Sequence, residues 1–368
     1  MPELNFTMVS GPGQGLVRPA LCIINYNGAR HLPGSLGRVS QLRPQFSEVV
    51  FVDDASTDES AALARELLPE ARFIALTRNS GPGPARDAGL ASLRAERVLF
   101  MDNDVALGDD VLDRLGSALD AAPNAVMAMA RIVSASAPDQ IDWDGGDAHF
   151  SGLVVPRNAG RSVGSCVGSA VVEVGSLITC CFLLDRSRWG TERLFDAEFG
   201  MYEEDHELGL RARIRGLDLL VVPEAVCLHG TGTPGLSIRE SGRHSSLRIR
   251  NTILNRWQVL LKLYQTRTLV LLAPYLVTFE LFQFVGCLLL GWHREWFSAL
   301  RKLVELGPGL GVRRRTVQTS RARSDAQVLS GGPHPFNPRL RERAILRLVL
   351  PALDAFGTLN WWLARLVP

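Results

Sequence analysis

The chain has 368 residues, 46% of them hydrophobic, with 40 Lys and Arg against 38 Asp and Glu. That length predicts one large domain with an appendage, or two domains, and a formal net charge of +2 leaves no bulk electrostatic case for a nucleic-acid partner. The six cysteines show neither a CxxC pair nor metal-ligand spacing. Most lie in apolar runs and read as reduced, buried thiols of a cytosolic protein. No basic stretch leads into an apolar one at the start, so no cleaved signal peptide is expected.

In chain order, residues 1–19 are rich in Gly and Pro and read as a loose lead-in. Ala20 to Ile24 predicts a buried strand that ends in the turn Asn25-Tyr26-Asn27-Gly28, with a helix to about Gln41. Glu48 to Val52 predicts a second strand, ending in Asp53-Asp54-Ala55-Ser56-Thr57-Asp58. Ser56 or Thr57 can cap the next helix, with Asp58 and Glu59 facing its dipole. Arg72 to Leu76 predicts a third strand, and Asn79 to Gly89 a Gly/Pro loop running into a helix. Val98 to Met101 predicts a fourth strand, ended by Asp102-Asn103-Asp104, before a helix over about 109–121 and a strand from Ala125 to Ala130.

Strands alternating with helices predict βαβ units and an α/β fold with a mostly parallel central sheet and flanking helices. Polar residues gather after strands one, two and four, at the edge where such sheets hold ligands. Tyr26, Asp53, Asp54, Asp102 and Asp104 are therefore expected to converge. Alternate residues of an extended chain point the same way. Asp102 and Asp104 thus offer two hard oxygen donors suited to Mg²⁺ or Mn²⁺ and, through the ion, to a diphosphate. The other reading is a solvated acidic turn. No G-x-G-x-x-G follows the first strand and no P-loop occurs, which disfavours a dinucleotide enzyme or an ATPase.

Four stretches in this order and spacing resemble family 2 glycosyltransferases with the GT-A fold. They are Ile23-Ile24-Asn25-Tyr26-Asn27, the Asp53–Asp58 run, the Asn79–Gly89 loop and Met101-Asp102-Asn103-Asp104. The resemblance covers roughly residues 20–235. It implies a catalytic domain over 20–240 and a nucleotide site in which Asp53 hydrogen-bonds the base. Tyr26 lines that pocket and Arg86 lies near the base. Asp102 faces the ribose and donor sugar, and Asp104 binds the metal. Asp87 stands where the family usually has Asn and is expected to order its loop. Packing for Tyr26 and an Arg86–Asp87 pair stay open, and Asp54 is expected in a turn or cap.

Residues 134–170 predict long loops and short strands, which the resemblance assigns to the acceptor side. Trp143 either stacks on a sugar or anchors the core. Glu173 to Leu184 predicts a buried segment. The run Glu203-Glu204-Asp205-His206-Glu207 reads in isolation as a solvated helix start with a Glu207–Arg211 pair. The resemblance instead makes Glu204 and Asp205 catalytic, with Asp205 the general base. After a strand from Leu217 to Val222, it makes His229 a metal ligand, where a lone His is otherwise structural. Gly230 to Gly235 reads as a loop able to close over a donor.

From residue 241 to 368 the pattern is helical. Thr268 to Trp292 carries only Glu280 as a charge and is long enough to cross a bilayer, with Arg267, Arg294 and Trp296 as flanking anchors. Two short interfacial helices broken at Pro274 or Gly286, or a buried dimer helix, are the alternatives. Residues 307–338 read as a linker whose arginines meet anionic headgroups. The tail from Ile345 predicts a second apolar helix.

Together these expectations describe a Mn²⁺- or Mg²⁺-dependent inverting glycosyltransferase. It moves a sugar from a UDP- or dTDP-linked donor to a saccharide or lipid-linked acceptor in cell-surface polysaccharide assembly. It works at the cytoplasmic face of the membrane, peripheral or with one short span, and as a homo-oligomer in one reading. A nucleotidyltransferase of similar fold needs a Lys/Arg-rich loop that Asn25-Tyr26-Asn27-Gly28 lacks. A non-catalytic scaffold predicts loss of Asp102, Asp104 or Asp205, and all three are present.

Overall fold

Strand β1 (Ala20–Asn25) has no solvent face. Leu21 and Ile23 enter one core layer, and Ala20, Cys22 and Ile24 the other. A strand apolar on both sides needs cover on both sides. Helices α1 (Leu32–Leu42) and α2 (Ser60–Leu67) supply it on the first face and α3 (Pro82–Ser92) on the second. The close seat of α3 depends on Gly89, where a Cβ would lie 2.2 Å from Cys22 Sγ. The computed structural model describes residues 18–166, 170–233, 236, 244–336, 342 and 344–366, so all but Arg18 and Pro19 of the expected lead-in lie outside the described residues.

β1 pairs in parallel with β2 (Val49–Asp53) and β4 (Arg97–Asp102), and β2 with β3 (Arg72–Ala75). After β5 (Val105–Leu107) and α4 (Val111–Ala121) come β6 (Ala125–Ser134), β7 (Ala137–Trp143), β8 (Gly146–Ala148), β9 (Val154–Pro156), β10 (Val172–Val174) and β11 (Cys181–Asp185). A short α5 (Arg186–Trp189) and α6 (Glu204–Ile214) precede β12 (Asp218–His229). The sheet order is β10-β12-β6-β11-β4-β1-β2-β3, with β5 on β12 and β7 on β6.

The sheet is mixed. Its first four strands are parallel, but β11 enters between β4 and β6 antiparallel to both. Between β6 and β11 the described chain runs through short strands without an α-helical crossover, and only such a crossover demands parallel entry. The strand expected over 217–222 runs on to His229 through a register shift after Val222. All six cysteines are free, five of them buried.

The C-terminal helices are α7 (Ser246–Leu263), α8 (Thr266–Leu289), α9 (His293–Thr319), the short α10 (Asp325–Val328) and α11 (Ala344–Leu366). α8 is one helix through Pro274 and Gly286, not two short ones. The linker expected over 307–338 is corrected: α9 is helical through Pro308 to Thr319. Its arginines are spent on the protein itself. Arg313 binds Asp196 at 2.7 Å, Arg321 binds Asp325 at 3.0 Å and Arg323 binds Asp218 at 2.6 Å. The partners of Arg313 and Arg323 lie more than a hundred residues away, so composition alone misread them.

α6 joins the sheet to these helices. Leu208 and Ala212 pack in the second sheet layer, Leu210 and Ile214 in a third core with α7, α8 and α11. Glu207 is fully buried. It accepts two bonds from Arg211, at 2.7 and 3.1 Å, and one from Lys262 of α7 at 2.7 Å. The solvated i,i+4 pair expected there is therefore a buried network. Burial pushes the Glu207 carboxyl up, but the Arg211 and Lys262 charges prevail and hold it below its ordinary value. Removing one member strands buried charge, which typically costs about 3–5 kcal/mol. Glu207→Ala is expected to lose about that much in urea unfolding. An unchanged urea midpoint for Glu207→Ala would contradict the network's role.

Candidate active site

The strand ends after β1, β2 and β4 open on a cleft of about 1030 Å³. Asn25 ties them together. Its amide nitrogen donates to Asp53 Oδ1 and Ser60 Oγ, both at 2.8 Å, and its oxygen accepts from Asn103 Nδ2 at 2.7 Å. Tyr26, Arg86, Asp102, Asp104, Trp143, Glu204, Asp205 and His229 all line the cleft.

Asp53 does not. Its Oδ1 also accepts from Ser56 Oγ at 2.6 Å and its Oδ2 from the Ser56 amide at 3.0 Å, so the expected base contact is committed to closing its own turn. Asp54 lines the cleft instead, accepting the Ser80 and Gly81 amides at 2.8 and 2.9 Å. Burial first, and then the Asp53 charge, raises its carboxyl, although those two amides oppose the shift. Consecutive strand residues face opposite sides, so only one of this Asp-Asp pair can reach the ligand side.

Asp102 and Asp104 do not converge by strand alternation, because Asp104 lies in the turn between β4 and β5. The turn is held by β12. His229 is opposite Val105 in the β5–β12 ladder, and the Gly230 amide donates to Asp104 O at 2.8 Å. One ligand atom from each of Asp102, Asp104 and His229 lies within 4.8 Å of the others. His229 Nε2 is 3.4 Å from Asp104 Oδ1, and its Nδ1 is 3.5 Å from Asp142 Oδ2. Two carboxylates and an imidazole form a donor set that fits Mn²⁺ or Mg²⁺.

Arg86 is buried beneath this group, not paired with Asp87. Its Nη2 donates to Asp102 Oδ1 at 2.5 Å and to Thr179 O at 2.9 Å, while Nε and Nη1 have no hydrogen-bond partner among the described residues. Asp87 accepts the Leu194 and Phe195 amides at 3.2 and 3.3 Å, a loop-ordering role, and burial pushes its carboxyl up to about 6. Trp143 packs its ring on the two sheet cores, the anchoring alternative, and also lines the cleft.

The second wall is the start of α6. Tyr202 and Glu203 both hold left-handed backbone, at φ 69° and 64°, and turn the chain so that Glu203, Glu204 and Asp205 all line the cleft. Asn255 of α7 fixes this turn by donating to Phe199 O and Tyr202 O, both at 2.7 Å. Burial, with the Asp205 charge second, pushes Glu203 up to about 8 and raises Glu204; burial also raises Asp205. The Asp205 Oδ1 accepts from the His206 amide at 2.8 Å. Arg248 of α7 stacks over Tyr202 at 4.7 Å and lines the same cleft. Sequence reasoning gave no site role to Asn25, Glu203, Arg248 or Asn255. Asn25 and Glu203 sat in recognisable motifs; the partners of Asn255 are more than fifty residues away.

Across the cleft mouth, Arg30 donates to Gly232 O at 2.6 Å and Thr233 Oγ1 to Tyr26 O at 3.1 Å. Pro234 and Gly235 of the expected closing loop lie outside the described residues.

Residues 20–169 match the model of the family described as Glycosyl transferase family 2. The succinoglycan biosynthesis protein ExoO of Rhizobium meliloti is 43% identical over 76 residues, 20% of this chain and 22% of that protein. The teichoic acid poly(glycerol phosphate) polymerase of Staphylococcus epidermidis is 32% identical over 88 residues, 23% of this chain and 12% of that protein. This chain thus spans under a quarter of the length of these two curated relatives. An N-acetylglucosaminyl-diphospho-decaprenol L-rhamnosyltransferase of Mycobacterium tuberculosis is 27% identical over 229 residues, 56% of this chain and 74% of that protein. The crystal structure of GalNAc-T7 with UDP, GalNAc and Mn²⁺ shares the fold, with a TM-score of 0.55, 15% identity and coverage of 72% of this chain and 50% of that one.

The half-buried Glu203 carries a pH signature. Folded Glu203 keeps its proton up to about 8, whereas its ordinary value is 4.5. Its contribution to stability is therefore complete below 4.5 and is lost as the pH rises through about 8. Glu203→Gln has no proton to release. Its melting temperature, relative to the native chain, is expected to climb steadily across that window; parallel melting curves would rule the shift out.

Proposed function

We propose that this chain, whose residues 20–169 match the glycosyl transferase family 2 model, acts as such an enzyme and transfers a sugar from a nucleotide-diphospho-sugar to a membrane-linked saccharide with inversion at the anomeric carbon. The observation that carries the reading is that one cleft joins Asp102, Asp104 and His229 to Glu204 and Asp205. The first group suits a diphosphate with its cation and the second an acceptor hydroxyl.

In this reading Tyr26 and Asp54 bind the base. Uracil and thymine both offer an imino donor to the Asp54 carboxylate, so UDP- and dTDP-linked donors both fit. Asp53 acts through the Asn25 turn. Asp102, countercharged by Arg86, faces the ribose and sugar. Asp104 and His229 would hold the cation, which when bound neutralises charge on the leaving diphosphate. Asp205 takes the proton of the acceptor hydroxyl. That oxygen bonds to the anomeric carbon as the bond from this carbon to the diphosphate breaks, and the leaving group departs from the opposite face. Glu204 supports Asp205 by keeping its own proton, and the raised Asp205 carboxyl suits a base near neutrality. Trp143 offers a ring face to the acceptor sugar.

Arg248 at the acceptor end suits an acceptor that carries phosphate. The mycobacterial relative, named for N-acetylglucosaminyl-diphospho-decaprenol, points to the same acceptor class.

UDP release from a panel of UDP-sugars with Mn²⁺ tests the activity. Asp205→Asn is expected to bind UDP normally and to turn over about 10²–10⁴-fold more slowly; normal turnover would remove Asp205 as the base. Mn²⁺ is expected to raise the melting temperature of the native chain and not of Asp104→Ala. Asp54→Ala is expected to weaken UDP binding more than it lowers the melting temperature, whereas Asp53→Ala chiefly lowers the melting temperature. The reverse pattern would restore Asp53 as the base contact.

A further inference from the structure

We propose that the outer faces of α8 and α11 seat this protein on one leaflet of an anionic bilayer, in its plane and without crossing it. The inference deepens the proposed membrane-linked acceptor and rests on that reading for its purpose.

On α8, Val270, Val277, Leu281, Val285 and Leu288 are exposed at helical spacing, Val277 by 59% and Leu281 by 61%. Every exposed residue of this helix is uncharged. On α11, Leu348, Phe356, Leu359 and Trp362 form a similar stripe, and the one acid, Asp354, turns inward to bind His334 Nδ1 at 2.6 Å. The two helices pack side by side and share the third core on their inner faces. Two adjoining apolar stripes form a contiguous patch of the kind that marks an interaction surface; hydrophobic residues exposed singly do not.

The inner face of α8 forbids a span. Its 24 residues reach about 36 Å, enough to cross. However, that face is fixed to the catalytic region along its length. Gln265, just before it, donates its amide to Asp325 at 2.7 Å. The Tyr275 ring packs on Phe150 at 5.1 Å and its hydroxyl meets His334. Glu280 accepts from Arg256 at 3.2 Å, Trp257 at 2.8 Å and Trp296 at 2.6 Å. A crossing helix would carry this charged cluster, and the sheet domain attached to it, into hydrocarbon. Lying in the plane immerses only the outer stripe, by roughly 5–10 Å.

The rim selects lipid over a second copy. Arg267 and Arg294 bracket α8, and the exposed Arg347 and Arg365 bracket the α11 stripe. A two-fold pair of copies would set this positive rim against itself. Anionic headgroups attract it, at about 1 kcal/mol per basic residue. The cleft reaches the same place. Its wall includes Pro335, next to the His334 that α8 and α11 both hold, together with Leu247, Arg248 and Asn251 of α7. The acceptor end of the cleft thus opens beside the platform.

The test is flotation of the full chain with phosphatidylcholine–phosphatidylglycerol vesicles. The native chain is expected to float with them, to float poorly with pure phosphatidylcholine and to be released by alkaline carbonate. Leu281→Glu combined with Leu359→Glu is expected to lower the bound fraction about tenfold or more while keeping the melting temperature and UDP release. Asp205→Asn is expected to float as the native chain does. Failure to float with UDP release intact overturns the platform alone, whereas flotation without UDP release overturns the transferase reading alone. Resistance to carbonate overturns the in-plane arrangement. A native dimer that the double variant converts to a monomer, with vesicle binding unchanged, assigns the face to a second copy and overturns the proposal.

Discussion

The carboxamide of Asn25 is the point on which the cleft depends. Three parallel strands end side by side, and their terminal residues are polar in a region otherwise closed to water. Asn25 meets that condition by donating to Asp53 from β2 and accepting from Asn103 after β4. Buried polar groups must find partners, and here the partners are the neighbouring strand ends. The same bonds that satisfy them fix the spacing of the turns that present Tyr26, Asp54 and Asp102. Ser35 extends the lock to α1 by donating to Asn103 O at 2.7 Å.

The opposite wall is set by a different force. α6 must bring Glu204 and Asp205 to the cleft although water is largely excluded there. Glu207, one turn on, supplies the anchor. Its charge is matched by Arg211 and Lys262, so the helix is held by buried ionic contacts on its far side. The acids on the near side lack such close cations and shift upward instead. Desolvation has opposite outcomes within five residues because partners exist on one side of the helix only. A carboxyl raised in this way is poised for proton transfer near neutral pH.

The C-terminal helices belong to this arrangement. α7 lends Asn255 to the turn before Asp205 and Arg248 to the cleft, and Lys262 to the Glu207 network. Helices α8 and α11 then cover α7 and Phe150, leaving their outer faces apolar. The surface proposed to meet lipid is therefore continuous, through packed side chains, with the wall that holds the proposed base.

The sequence by itself determined the elements whose signals are local. The buried strands, the turns that end them, the donor motifs and the acidic start of α6 were all legible, because a strand apolar on both faces and a carboxylate pair at its end are patterns a few residues long. Tertiary structure decided what those residues do. Asp53 and Asp54 are adjacent and chemically alike, and only the hydrogen bonds from Asn25 and Ser56 divide their roles. Asp104 meets His229 because β5 pairs with β12, more than a hundred residues later. Arg313 and Arg323 resembled part of a headgroup-binding linker until their partners, Asp196 and Asp218, were brought beside them. Likewise, the apolar run of α8 had the length of a membrane span, and only the charged cluster on its inner face showed which side is free. A sequence gives the chemistry of each side chain, but burial and pairing depend on residues distant along the chain, and the fold alone brings these together.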